Sequence, residues 1–175
     1  MVKMEVFSRK YSLGDRVVHR YYGVGQIDGI ECKLLNGVKV ECFKVQTKNG
    51  IFWFPTDSLN NPRIHPLASQ DIIQRAIEIL RSAPNGLEND HLEWKVRIDD
   101  VQTNGDILAI SSLIRDLNAL KTKKKINRTQ VQALNNLEDR LLREWAASLK
   151  VDAKSIRPLL QAYLQESNTN IQNTA

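Results

Sequence analysis

The sequence predicts an α+β fold, a small SH3/Tudor-like β barrel followed by an all-α domain of about five helices, and two observations carry that prediction. The hydrophobic period is about 2 up to residue 66 and about 3.6 beyond it. The first part is also broken repeatedly by turn signals, at Tyr21-Tyr22-Gly23, Asn36-Gly37 and Lys48-Asn49-Gly50. Short strands joined by tight turns within about 60 residues cannot build two packed sheets, so a strongly bent barrel is the economical solution.

The strands are expected over Arg16–Arg20, Val24–Leu35, Val38–Thr47 and Ile51–Phe54, each rich in β-branched and aromatic residues, with Pro55 closing the last. Asn36-Gly37 reads as a two-residue type I′ hairpin turn. Pairing Leu35 with Val38 then sets Cys32 opposite Glu41 and Cys42 opposite Glu31. The two thiols, which are the only cysteines, fall on opposite faces of the sheet, so both are read as reduced and packed as small apolar side chains. The glycines of Gly23-Val24-Gly25 and Gly29 sit before and within a strand and are read as turn and bulge positions, not as a phosphate loop. On the Val38–Thr47 strand, Lys39 and Glu41 are expected to share an exposed face with Phe43 and Val45. Such a mixed edge accepts a strand from another protein, and the same alternation fits a half-buried hairpin equally well.

After Asn60-Asn61-Pro62 and His65-Pro66 the helices begin. Ser69 caps a helix whose Ile72, Ile73, Ala76, Ile77 and Leu80 form one stripe, ended by Pro84-Asn85-Gly86. Asp90 caps a second, over Leu92 to about Gln102, and Asn104-Gly105 stops it. Ile107, Ile110, Leu113, Ile114 and Leu117 mark a third. Asn127 and Gln130 have capping-box spacing and Ile126 and Val131 staple spacing, so the fourth helix starts at Arg128 and continues its stripe through Leu134, Leu137, Leu141, Trp145 and Leu149. A last short helix holds Ile156, Leu159, Leu160, Tyr163 and Leu164; Pro158 belongs in its first turn, which favours Ser155 over Asp152 as its cap. The domains are therefore a barrel over 1–66, a helical domain over 67–166 and a disordered tail over 167–175.

Composition narrows the function. With 175 residues, 42% hydrophobic and 26% charged, the chain has the makeup of a soluble globular protein. No apolar run approaches the roughly 20 residues that span a bilayer, and the opening MVKMEVFSRK is too short and too charged for a signal peptide, so a cytoplasmic location is expected. The histidines His19, His65 and His91 are scattered, no Cys/His/Asp group has metal-ligand spacing, and neither catalysis, a metal nor a cofactor is expected. The net charge of +5 suits a polyanionic partner. Residues 68–175 are nearly balanced, with fifteen Lys/Arg against fourteen Asp/Glu, so a nucleic-acid contact there must use local clusters.

Two such clusters stand out. In Leu92-Glu93-Trp94-Lys95-Val96-Arg97, if Leu92 and Val96 face the core, Trp94 lies about 200° from each and points outward, with Lys95 and Arg97 beside it for phosphates. The competing reading packs Trp94 against the barrel or the preceding loop. The run Lys121-Thr122-Lys123-Lys124-Lys125-Ile126-Asn127-Arg128 makes either a phosphate clamp, through Lys123, Lys124, Lys125 and Arg128, or a solvated loop.

The string Leu13-Gly14-Asp15-Arg16-Val17-Val18, followed by Tyr22-Gly23-Val24-Gly25-Gln26-Ile27 and Ile30-Glu31, resembles the opening of the CarD/CdnL family and the polymerase-binding module of the transcription-repair coupling factor. Trp94-Lys95-Val96-Arg97, Asn104-Gly105-Asp106 and Leu113-Ile114-Arg115-Asp116-Leu117 resemble the helical domain of CarD/CdnL, which the coupling factor's module lacks. The resemblance covers roughly residues 7–165. It implies a non-enzymatic, monomeric transcription regulator, associated with the nucleoid through RNA polymerase. Its barrel would bind the β1 lobe of the bacterial RNA polymerase β subunit, and its helical domain promoter DNA at the upstream edge of the bubble. There the tryptophan matching Trp94 wedges into the minor groove with little sequence preference and stabilises the open complex. Lys33, Lys39, Glu41, Phe43 and Trp53 are the expected polymerase-facing residues. The chain departs from the family pattern at Trp53, where an arginine is usual, and at Asp99, where a lysine is usual. A diverged protein-interaction adaptor that no longer touches promoters is the alternative.

Overall fold

The computed structural model describes residues 10–58 and 60–170 and divides the chain into two compact units, residues 1–67 and 68–175. The charged segment 1–9 and the tail residues 171–175 lie outside the described residues.

The first unit is a five-stranded antiparallel sheet: β1 (Arg16–His19), β2 (Gly23–Leu35), β3 (Val38–Thr47), β4 (Gly50–Pro55) and β5 (Ile64–Pro66), in the order β4-β3-β2-β1-β5. The β2–β3 hairpin has the expected register, with Leu35 opposite Val38, Cys32 opposite Glu41 and Glu31 opposite Cys42. Its turn residues Asn36 and Gly37 both have positive φ, as a type I′ turn requires. The ladder slips between Ile27 and Gly29, leaving Asp28 as a bulge that bends β2. Gly25 leaves no room for a side chain, since a Cβ there would lie 2.6 Å from Val45 Cγ1 and 2.8 Å from the Gln46 carbonyl. Tyr11, Val17, Ile27, Phe43, Val45, Phe52, Phe54 and Ile64 fill the concave interior. His19 fastens the β1–β2 turn: its Nδ1 accepts from the amides of Tyr21 (3.0 Å) and Tyr22 (3.2 Å).

Three expectations for this unit need correction. β5 lies where the sequence shows only Pro-rich punctuation; Ile64 fills the interior and the strand pairs with β1, with Pro66 at its last position. Phe43 and Val45 face the core and not the surface, because along β3 the face that carries Lys39 and Glu41 outside at the hairpin end turns into the interior further on. Cys42 is buried as expected, but Cys32 is exposed.

The second unit packs α1 (Gln70–Arg81), α2 (His91–Asn104), α3 (Ile107–Thr122), α4 (Arg128–Leu149) and α5 (Ala153–Asn170) around α3, which is buried along most of its length. Ser69, Asp90 and Asn127 cap their helices as the spacing predicts, and Asn127 and Gln130 form a reciprocal capping box. α1 ends at Arg81, short of Pro84. α5 begins at Ala153, so Pro158 lies beyond its first turn; Asp152 Oδ1 accepts from the Lys154 amide and takes the starting role expected of Ser155. The helix also outruns the expected disorder. Ser167 is buried and donates to the Ser82 carbonyl, and Asn170 donates to that of Arg81, so contacts with the end of α1 order residues 167–170 despite their polar composition.

Candidate nucleic-acid and protein interfaces

In α2 the expected orientation is reversed. Trp94 is 3% exposed and packs in the core with Ile98 and Val101, while Leu92 and Val96 are 67% and 61% exposed. The reason lies in the same spacing: Trp94, Ile98 and Val101 form an i, i+4, i+7 stripe that buries more apolar area than the Leu92/Val96 pair, with tryptophan the largest single contributor. Arg97 joins that side. Its guanidinium lies over the Trp94 ring at 5.5 Å, donates to Ser112 Oγ and makes a 2.5 Å ion pair with Asp116, so it is not turned outward as a phosphate ligand.

Asp116, fully buried, is the tie of this unit. It accepts from Arg97, from Arg115 Nε (2.7 Å) and from the Asn85 amide (2.8 Å). Arg115 in turn donates to Ser82 Oγ and Ser112 Oγ. One buried carboxylate thereby joins α1, α2, α3 and the loop after α1, and each charge has partners, as burial demands. The sequence shows Arg115-Asp116 amid an apolar stripe, a placement that signals a paired buried charge, but it does not reveal Arg97 as the third member.

The remaining predicted DNA-binding residues come partly together. Lys95, Lys123, Lys124, Lys125 and Arg128 are all exposed. Two adjoining hollows separate α2 from the start of α4 and share His91, Asn127 and Gln130. The first, about 360 Å³, is bordered by Trp94 and Lys125; the second, about 290 Å³, by Lys95 and Ile98. Trp94 and Lys125, distant in sequence, therefore border one hollow, and Lys95 borders the hollow beside it. Lys123 and Lys124 sit on the α3–α4 turn, where Lys124 has φ 55°, and Arg128 opens α4. Asp99, the departure from the family lysine, lines the second hollow.

On the barrel unit the predicted polymerase-facing residues split into two faces. Trp53, 41% exposed, donates from Nε1 to Glu31 Oε2 (3.0 Å) and lies under Lys33 Nζ, 4.0 Å from its ring centroid. Glu31 also pairs with Lys33 (2.9 Å) and Lys44 (3.3 Å), and these contacts, foremost that with Lys33, hold its carboxyl below the usual range. The result is an aromatic side chain held in place on an exposed face. Lys39 and Glu41 lie on the other face near the hairpin end, where Glu41 accepts from Thr56 Oγ1, and Phe43 is in the core. Glu31 and Lys44 are absent from the predicted set; their register opposite Cys42 and Trp53 is the signal that would have found them. β4, which carries Trp53, is an edge strand of the described sheet.

Among the described residues no His/Cys/Asp/Glu group is placed to hold a metal ion, and no helix is long and apolar enough to cross a membrane.

Residues 11–68 match the model of the CarD-like/TRCF RID domain and residues 75–161 that of the CarD C-terminal domain. The chain is also 23% identical over 154 residues to the "Putative transcription factor YdeB" of Bacillus subtilis (strain 168), covering 84% of this chain and 97% of that protein.

Proposed function

The chain belongs to the CarD-like family of transcription regulators, and from that premise we propose that it binds RNA polymerase through its barrel and promoter DNA through its helical unit, stabilising the open complex. The barrel contacts the β1 lobe of the β subunit. Strand pairing at a sheet edge supplies affinity, and the Trp53–Lys33–Glu31 face supplies a rigid, partly desolvated anchor where family members use arginine.

The carrying observation on the DNA side is the meeting of Lys95, Lys125 and Trp94 at the α2/α4 hollows, with Lys123, Lys124 and Arg128 on the adjacent turn. These cations neutralise backbone phosphates at the upstream edge of the bubble. A tryptophan with 3% exposure does not insert as a wedge into the minor groove from its place in the core; the melted strand must reach Trp94 in its hollow. Base–aromatic contact of about 1–3 kcal/mol, offered only to melted DNA, slows bubble collapse by roughly 5–150-fold without chemistry. The factor acts as a monomer in the cytoplasm, at the nucleoid.

The test is the lifetime of purified polymerase–promoter open complexes with and without the protein. Lengthening, lost when Lys123, Lys124 and Lys125 are changed to Ala, supports the reading; an unchanged lifetime overturns the DNA role. The burial of Trp94 and the diversion of Arg97 to Asp116 favour a second reading, an adaptor that binds protein through the barrel without touching promoters. Capture of the β1 lobe with no effect on lifetime selects it.

A further inference from the structure

Among the described residues the sheet of the barrel unit does not close on itself: β4 and β5 are its two edges, and residues of both border a hollow of about 430 Å³. Sites for small molecules span roughly 300–1,000 Å³. One wall of the hollow is aromatic. The Phe52 ring lies 4.7 Å from that of His19 and 5.4 Å from that of Tyr22, nearly parallel to the latter at 13°, and Tyr22 is 47% exposed, so a further ring can extend the stack. The side-chain nitrogens on the border are donors. His19 is 8% exposed; its Nδ1 accepts from the Tyr21 and Tyr22 amides, so the ring proton is on Nε2, which donates to no described residue. Asn61 Oδ1 accepts from the Arg63 amide (3.0 Å), which leaves its Nδ2 as a donor, and the exposed Arg63 guanidinium has no described acceptor. No Asp or Glu borders the hollow.

Three donors without an acceptor, and no carboxylate to oppose them, suit an anion; flat rings suit a flat apolar body. We propose that the hollow between β4 and β5 binds a small planar aromatic anion, a carboxylate or a phosphate monoester such as a mononucleotide. Its ring packs against Tyr22 and Phe52, and its charge is met by Arg63, His19 Nε2 and Asn61 Nδ2. A cation, the other guest that aromatic walls accept, is opposed here by the Arg63 charge. An inorganic ion forgoes the ring contact and a neutral ring forgoes the charge-assisted hydrogen bonds, so each half of the ligand binds less well alone. Trp53 borders the same hollow, so the ligand lies beside the side chain that is proposed to anchor polymerase, and its binding does not depend on that role.

The test is calorimetric titration of the full chain with benzoate and with AMP, set against benzyl alcohol and adenosine, which lack the charge, and inorganic phosphate, which lacks the ring. Benzoate or AMP is expected to bind about tenfold more tightly than any of the three controls, and whichever does so identifies the anion as carboxylate or phosphate. Arg63→Gln and Tyr22→Leu alter exposed side chains and leave the fold intact; each should weaken that binding about tenfold, the first by removing charge-assisted hydrogen bonds and the second by removing the stack. Arg63→Lys should retain part of it. In the nuclear magnetic resonance spectrum the His19 and Trp53 ring signals should move on titration while those of Trp94 and Trp145 stay. Failure of both benzoate and AMP to bind more tightly than the controls, or binding that Arg63→Gln and Tyr22→Leu leave unchanged, overturns the site.

Discussion

The barrel unit displays its tryptophan and the helical unit buries its own. Trp53 stands on an exposed sheet face, steadied by a hydrogen bond to Glu31 and by Lys33 over its ring, whereas Trp94 is in a core, covered by the Arg97 guanidinium that Asp116 holds. A strand offers alternate residues to opposite faces, so Trp53 is outside once Phe52 and Phe54 are inside. A helix with two apolar stripes has no such rule, and the stripe with more area to bury wins. The same residue type is thus a ready contact in one unit and a structural member bordering a hollow in the other.

The largest effects should fall on the helical unit. Asp116→Ala leaves Arg97 and Arg115 without their shared carboxylate and is expected to cost about 3–5 kcal/mol in a denaturant melt; a cost under about 1 kcal/mol would show that the network is not the tie described. Trp94→Ala should cost about 3–5 kcal/mol as well, by opening a core cavity. If that variant melts like the wild type, Trp94 is exposed in solution and the contrast with Trp53 fails.

Trp53→Ala, on the other side of the contrast, should change stability by no more than about 0.5 kcal/mol. It should weaken capture of the β1 lobe by about 2 kcal/mol or more, close to thirtyfold, as a central aromatic anchor does. Undiminished capture would move the polymerase contact to Lys39 and Glu41 on the opposite face. Changing Lys123, Lys124 and Lys125 to Ala should lower the slope of log affinity for DNA against log salt by up to about 3; an unaltered slope returns the run to a solvated loop.

Smaller effects concern His19 and the thiols. Burial, and secondarily Arg63, push the His19 pKa below its ordinary value of 6.5, so the unfolded chain takes up the proton first. The stability it contributes is complete above pH 6.5 and is lost as pH falls through the folded value, and His19→Gln should flatten that part of a pH–stability curve. Cys32 should react with a thiol reagent in the native protein, and Cys42, whose thiol burial pushes up, only on unfolding.

Much of this molecule was legible from residue order. The β2–β3 register followed from Asn36-Gly37, and the start of α4 from Asn127 and Gln130, because a two-residue turn and a capping box are closed by neighbours along the chain. The same local chemistry placed Ser69 and Asp90. The site was less legible: Lys95 and the 121–128 run were visible as charges, but that Lys125 borders a hollow with Trp94 and Lys95 the hollow beside it depends on how α2 lies against α4.

By itself, then, the sequence determined the class of fold, the hairpin, the helix starts and the two-part family pattern, all of which rest on period, turn chemistry and motif order. Only the tertiary structure decided which face of α2 is inside, that Ile64–Pro66 is a strand, that α5 reaches Asn170, and that Arg97 belongs to Asp116. Those outcomes are set by which distant surfaces cover an element and which distant groups take its hydrogen bonds, and even where two competing stripes share one window, as in α2, the surface that covers the winner lies outside it.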